Sequence, residues 1–260
     1  MCCCDYSRLF HVEQIRTTSP DPASIPLPSW AHSGTAVLQR ALLYLYNLHD
    51  MLTETRVQDL LRPFELELSS SQVRQVLTYL ELLLRWNEKM NLTAIRTPEE
   101  CLTRHFGESL YLARSAELQG TLLDVGSGAG FPGLALKIAF PDVAATLLEP
   151  VAKKRAFLKE VARACRMGSV EVRRERLEDF VRGEPGHSFD ATTMRAVGRL
   201  AELVPAVAHC LKPGGRLCLW LGHEQARELA ELEPAIRWAP PITIPLTRQR
   251  EILVGTLATS

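Results

Sequence analysis

Four glycines fall within the eight positions from Gly126 to Gly133, directly behind the apolar run Thr121-Leu122-Leu123-Asp124-Val125. Gly128, Gly130 and Gly133 match the dinucleotide fingerprint literally. Its glycines let the backbone turn sharply and approach a phosphate with no Cβ in the way. Asp124 speaks against that ligand, because a carboxylate two residues before the first glycine would repel a pyrophosphate. S-adenosylmethionine has no phosphate and carries an ammonium and a sulfonium, so toward it the same acid attracts. Glu149 ends the next apolar run, AATLLE, where an acid suits ribose hydroxyls of either ligand and does not discriminate. A nicotinamide dinucleotide, or a loop that only turns tightly, is the alternative; Asp124 favours the cationic methyl donor.

Further along lie two more candidates. Leu177 and Glu178, in RERLEDF, follow the third predicted strand, where side chains and amides reach an adenine; Glu178 and Asp179 could equally cap a helix. Arg195 closes FDATTMR. It is either solvated surface or, facing the rim of a sheet, a holder of a carboxylate or phosphate.

These residues need a frame. From Thr121 onward short apolar runs alternate with helical patterns: TLLDV, AATLLE, SVEVR, FDATTM and RLCLWL as strands, with helices over GLALKIAF, VAKKRAFLKEVARAC and LAELVPAVAHCL. That rhythm predicts an α/β fold, a doubly wound and mostly parallel sheet covered on both faces. The ligand then lies beyond the carboxyl ends of the strands. Residues 212–215, KPGG, read as a helix stop and turn, and ITIPL with EILVGTL as an antiparallel hairpin at the sheet edge. Upstream, residues 69–93 carry Val73, Val76, Leu77, Leu80, Leu83 and Leu84 on one helical face, and residues 97–118 form a second helix capped by Thr97. The expected units are 1–50, largely irregular and with four prolines in nine positions from Pro20, then 51–118, helical, then 119–260, the sheet domain. Residues 1–50 read as an extension or as a start assigned too far upstream.

Composition narrows the class. The 260 residues are 46% hydrophobic and 23% charged, and no apolar run is long enough to span a bilayer. Seven cysteines, without metal-ligand spacing, read as reduced thiols of a cytoplasmic protein with no metal. The formal net charge is zero, yet residues 153–182 hold ten basic side chains against five acidic ones, among them Lys153, Lys154 and Arg155. Such a segment is a phosphate-attracting face or a solvated helix face, and its charge alone does not decide between them.

Taken in order, RWNEKMNLTAIRTPEECLTRHFGESL (85–110), LLDVGSGAGFPGLALKIAFP (122–141), TLLEPVAKKRAFLKEV (146–161), RERLEDF (174–180) and FDATTMRAV (189–197) resemble the bacterial 16S rRNA guanine-N7 methyltransferase family, the glucose-inhibited division protein B family. The resemblance spans about residues 55–256. It implies a class I S-adenosylmethionine-dependent methyltransferase domain, Rossmann-like with an antiparallel edge strand, preceded by a small helical unit. Family cofactor contacts carry over to Gly126, Phe131, Leu177, Glu178 and Arg195, with Glu149 at the ribose-side acid and Asp124 and Gly128 in the same loop. The resemblance implies as partner 16S rRNA or the small ribosomal subunit, met by a monomer. Arg104, His105, Lys153, Lys154, Arg155 and Arg199 are the candidate RNA contacts. Asn87 and Asn91 belong to the matching helical segment with no individual role assigned.

There are departures from the family pattern. Glu108 stands where an Asp is usual, and Leu221 where many members place a lysine at the end of the fifth strand. Guanine N7 is already nucleophilic, so the implied reaction needs positioning and no general base. Two rivals follow from the residues: a small-molecule methyltransferase on the same fold, and a catalytically weakened cofactor-binding protein.

Overall fold

The computed structural model describes residues 53–183, 186–196, 198, 200–229 and 235–259. The expected irregular segment 1–50 lies outside them. Helix α1 (Glu54–Leu61) starts on Thr53, whose hydroxyl accepts the amide of Arg56, and a 3-10 turn (Arg62–Phe64) ends it. Helix α2 (Ser70–Met90) opens on a reciprocal capping box between Ser69 and Gln72. It buries Val73, Val76, Leu80, Leu83 and Leu84 as the spacing predicts, along with Tyr79 and Asn87, while Leu77 of the expected face is only half-buried. It stops three residues earlier than expected because Asn91 adopts a left-handed conformation, φ 47°.

The expected single helix over 97–118 is shorter and irregular. Thr97 caps α3, which has α geometry at Pro98–Glu100 and Glu108–Leu110 and π geometry at Cys101–Gly107, then tightens into a 3-10 turn at Tyr111–Arg114. The wide turn falls on the segment that carries Arg104 and His105, and π insertions concentrate at sites where side chains must be re-aimed.

The sheet runs β3-β2-β1-β4-β5-β8-β6, with β7 paired to β8. Strands β1 (Thr121–Val125), β2 (Ala144–Leu148), β3 (Val170–Arg173), β4 (Phe189–Arg195) and β5 (Leu211–Gly222) are parallel. Strand β8 (Arg250–Leu257) is antiparallel to β5, β6 (Ile236–Trp238) and β7 (Ile242–Thr243). The hairpin of β7 and β8 is present, but β8 is not an edge, because the unforeseen β6 covers its far side. Strand β5 begins five residues before the expected RLCLWL. Residues 212–215 form an irregularity inside it, where the pairing to β4 shifts register between Phe189 and Ala191. Gly214 takes φ 78° there.

Helices α6 (Leu177–Gly183), α7 (Leu200–Cys210) and α8 (His223–Leu229) cover one face of the sheet through Leu177, Phe180, Val204, Val207, Ala226 and Leu229. Helices α4 (Gly133–Ala139) and α5 (Ala152–Ala164) meet α2, so the helical segment is built onto this core. The Tyr79 ring lies 6.1 Å from that of Phe157, and Trp86 packs edge-on against Phe157 at 5.6 Å. Among the described residues, no helix is long and apolar enough to cross a membrane.

Candidate functional site: the glycine loop and its rim

The loop from Gly126 to Pro132 joins β1 to α4 and folds back onto β2. The amides of Gly126 and Ser127 both donate to Leu148 O at 3.0 Å, and the Gly130 amide donates to Ser127 O at 2.6 Å. Gly126, Gly128 and Gly130 take φ of 71°, 56° and 87°, a region that disfavours any side chain. A Cβ on Gly128 would meet only Gly126 O, at 3.8 Å, so the loop leaves open space there. Glu149 is buried and braces the loop from β2: Gly128 N donates to Oε2 at 2.9 Å and Val151 N to Oε1 at 2.8 Å.

Asp124 lies beneath this loop and is fully buried rather than lining an entrance. Its Oδ1 accepts from Thr193 Oγ1 at 2.7 Å, and Oδ2 has no hydrogen-bond partner. Gly133 is required here, since a Cβ would stand 2.6 Å from Asp124 Oδ2. Burial pushes the Asp124 carboxyl up to about 6, with Thr193, Ser127 and the Gly133 amide pulling the other way and Glu149 adding to the rise.

A cleft of about 280 Å³ opens over the ends of β1 and β2. It is lined by Val125, Gly126, Leu148, Pro150, residues 175–178, Gly198 and Leu203. Three predicted cofactor residues, Gly126, Leu177 and Glu178, thus share one cavity. Glu175 at its edge is held down to about 2, chiefly by hydrogen bonds from Arg173.

Phe131 is elsewhere, in an aromatic stack. Its ring is 5.0 Å from Tyr79 and 4.7 Å from His105, both nearly parallel, with Phe106 edge-on at 5.0 Å. Tyr79 reaches over Gly130 and donates its hydroxyl proton to Ala129 O. The helical segment therefore holds the glycine loop directly, a role that sequence reasoning gave to no residue. His105 Nε2 sits 2.8 Å from Thr93 Oγ1, and Nδ1 is buried without a partner. Burial, then Arg195, Arg104 and Arg250, pulls its pKa down to about 3, so the ring is neutral.

Arg85, Trp86, Asn87 and Thr93 of the stretch 85–110 make packing and turn contacts. Trp86 Nε1 and Arg85 Nη2 grip Glu160 of α5 at 2.9 and 2.7 Å. Buried Asn87 donates to Ile95 O and accepts from Thr93 N, so it shapes the turn that presents Thr93 to His105.

Arg195 does not stand free on the rim. Its Nη2 meets Glu108 Oε2 at 2.8 Å and Arg104 O at 2.7 Å, and Nη1 meets Ser109 Oγ at 3.1 Å. Buried Glu108 is shared, with Oε1 2.7 Å from Arg250 Nη2 on β8 and its carbonyl accepting Trp220 Nε1 at 2.7 Å. Burial raises the Glu108 pKa while Arg195, Arg250 and Arg104 pull against it.

The remaining RNA candidates separate. Lys153 is exposed and Lys154 half-buried on the first turn of α5. Arg155 is turned inward onto Glu149 O and Pro150 O, at 3.0 and 2.6 Å. Arg104 faces solvent from α3, and Arg199 lies outside the described residues. The basic stretch 153–182 is not one face: it is divided among α5, β3 and α6, with Arg173 and Arg182 in ion pairs with Glu175 and Asp179. Leu221, where a rim lysine was missed, points into the core with Leu219, Ala226 and Leu229.

The chain has relatives of known family. The family model described as GidB, rRNA small subunit methyltransferase G, matches residues 72–243. Ribosomal RNA small subunit methyltransferase G of Syntrophotalea carbinolica is 37% identical over 193 residues, 74% of this chain and 89% of the relative. The protein of the same name from Sorangium cellulosum is 40% identical over 195 residues, 74% and 77% of the two chains. A SAM-dependent methyltransferase from Aquifex aeolicus superposes with a TM-score of 0.51 at 14% identity, over 61% of this chain and 93% of that one, a likeness of fold. With its motifs in order, its sheet of class I methyltransferase topology and a family match over most of its length, the chain belongs to the GidB family of S-adenosylmethionine-dependent small-subunit rRNA methyltransferases.

Proposed function

We propose that this protein transfers the methyl group of S-adenosylmethionine to N7 of an unpaired guanine in 16S ribosomal RNA. The observation that carries the reading is the cleft over β1 and β2, which joins Gly126, Leu177 and Glu178 beside a loop built over a buried acid. The residues fit the cofactor: the left-handed glycines leave a cradle, and Asp124 keeps an unpaired buried oxygen under it. Gly126 and Gly128 would lie along the ligand and Leu177 and Glu178 against the adenine. Glu149 has lone pairs left for ribose hydroxyls beyond the two amides it holds.

S-adenosylmethionine supplies an electrophilic methyl on a sulfonium. The rest is positioning. Guanine N7 carries its own lone pair, so no side chain has to remove a proton, and the gain comes from holding N7 and the methyl in line at about 3 Å. Tyr79, Phe131 and His105 fix the loop by stacking and shield it from water. His105 stays neutral, so it places no charge against the purine as positive charge moves onto that ring. Lys153, Lys154 and Arg104 offer cations to the RNA backbone.

The test uses 30S subunits from a strain deleted for this gene, tritiated S-adenosylmethionine and nucleoside analysis. Labelled 7-methylguanosine in 16S rRNA is expected. Its absence, or label in small metabolites alone, refutes the proposal.

A further inference from the structure

We propose that Arg250 is an anion-binding residue on the acceptor side of the site, taking a backbone phosphate of the RNA strand that carries the target base. The inference rests on the RNA acceptor argued above and names the group that meets it. Arg250 opens β8 opposite Gly222, the last residue of β5, which puts it on the same carboxyl-end rim as the glycine loop. It is not beside the cofactor cleft. β4 and β5 lie between β8 and β1, so three strand spacings, about 14 Å, separate it from the loop.

The chemistry of the cluster calls for an anion. Arg195 and Arg250 share the single buried carboxylate of Glu108, one on each oxygen. Two guanidinium groups against one carboxylate leave a positive excess in a half-buried place. Arg250 Nε is buried with no hydrogen-bond partner, and one third of the side chain is open to solvent, at 34%. The unpaired buried Nε adds to the uncompensated charge, and the exposed third of the side chain leaves the guanidinium open to a phosphate oxygen. The neighbouring acid does not cancel it, because Glu251 points to the other side of the strand and is held by His223 at 2.9 Å.

The turn before β8 continues the surface. Arg248 is exposed with no ion pair among the described residues, and Leu246 is 67% exposed with φ 62°. The turn is fixed, with His223 N on Gln249 O at 3.0 Å and Ile244 N on Arg250 O at 3.1 Å. A bulky residue held at positive φ and turned outward is an apolar surface for an unstacked base beside a cationic one for its phosphate. β5 cannot supply that charge, since Leu221 faces the core.

A carboxylate shares this chemistry, and the methionine end of the cofactor carries one, so the experiment separates the two sources. Arg250→Gln is assayed on unmethylated 30S subunits across a salt series, with S-adenosylmethionine affinity measured by calorimetry. The expected result is a KM for RNA raised about tenfold and a slope of log KM against log salt reduced by about one, with cofactor affinity unchanged. Arg250→Lys should recover the salt slope and only part of the KM. Unchanged KM and slope in Arg250→Gln overturn the proposal, as does a loss of cofactor affinity without a change in KM for RNA. If Arg250→Gln fails to fold, Arg250→Lys decides: a raised KM supports the assignment and an unchanged one overturns it. A wild-type protein that labels no ribosomal RNA refutes the parent reading and this one with it, whereas an active wild type with an indifferent Arg250→Gln refutes only this one.

Discussion

Asp124 sets stability against ligand binding, and Asp124→Asn measures both. The unfolded chain releases this proton near the ordinary 3.8, while the folded protein holds it to about 6 because the carboxyl is fully buried. A raised folded-state pKa stabilises the fold below the unfolded value, and that stability is lost as pH rises through the folded one. At 1.36 kcal/mol per pH unit, the ionised carboxylate costs the native state about 3 kcal/mol above pH 6. Asparagine cannot ionise, and its Oδ1 still accepts from Thr193. Its NH2 group replaces Oδ2, which faces the Gly133 amide, so a donor then meets a donor and part of the gain is offset. We expect the difference between the ligand-free variant and the wild type to grow in the variant's favour by up to about 3 kcal/mol from pH 4 to pH 7 to 8. For a domain of this size that is about 6–12 °C in Tm. Urea unfolding at half-unit pH steps reads the difference. Calorimetry at pH 7.5 should show the same variant binding S-adenosylmethionine at least tenfold more weakly, because the charge beneath a cationic ligand is gone. A stability difference that is flat from pH 4 to pH 8 refutes the buried-ionisation reasoning. Unchanged affinity refutes the electrostatic role.

Two further expectations concern the grip of the helical segment. Glu108→Ala leaves Arg195 and Arg250 without their shared carboxylate, and breaking a buried pair in this way should cost about 3–5 kcal/mol in urea unfolding; a loss under 1 kcal/mol contradicts it. Tyr79→Phe keeps the ring stack but removes the hydroxyl from Ala129 O, a loss of about 1 kcal/mol. It should show as a several-fold rise in the dissociation constant for S-adenosylmethionine, and it is wrong if only the Tm moves.

What could be read beforehand was local. Strands and helices of the sheet domain announce themselves by period, and the glycines by the turn they allow. Leu177 and Glu178 met Gly126 in the cleft because each sits at a strand's carboxyl end, which the parallel topology aligns. The faces of the residues were harder. Leu221 looked like a lost rim charge, yet strand alternation sends Trp220 toward Glu108 and Leu221 into the core. Asp124 looked like a contact, yet it lies under the loop. β6 is three residues long, too short for alternation to mark. The two clamps, Tyr79 on Ala129 and Glu108 on Arg250, join segments far apart in the chain, and no spacing rule connects them.

Those clamps are where this chain adds to a shared fold. The Aquifex aeolicus structure, at 14% identity, has only the fold in common with it. One helical segment holds the glycine loop through Tyr79, shapes the loop's aromatic stack through His105, and inserts Glu108 between cations of β4 and β8. Displacing α3 would take His105 and Phe106 off Phe131 of the loop and unpair the rim cations from Glu108 together, while the Tyr79 hold belongs to α2. Cofactor affinity and acceptor binding are then expected to weaken jointly in α3 variants, and separately in variants confined to β2 or β8.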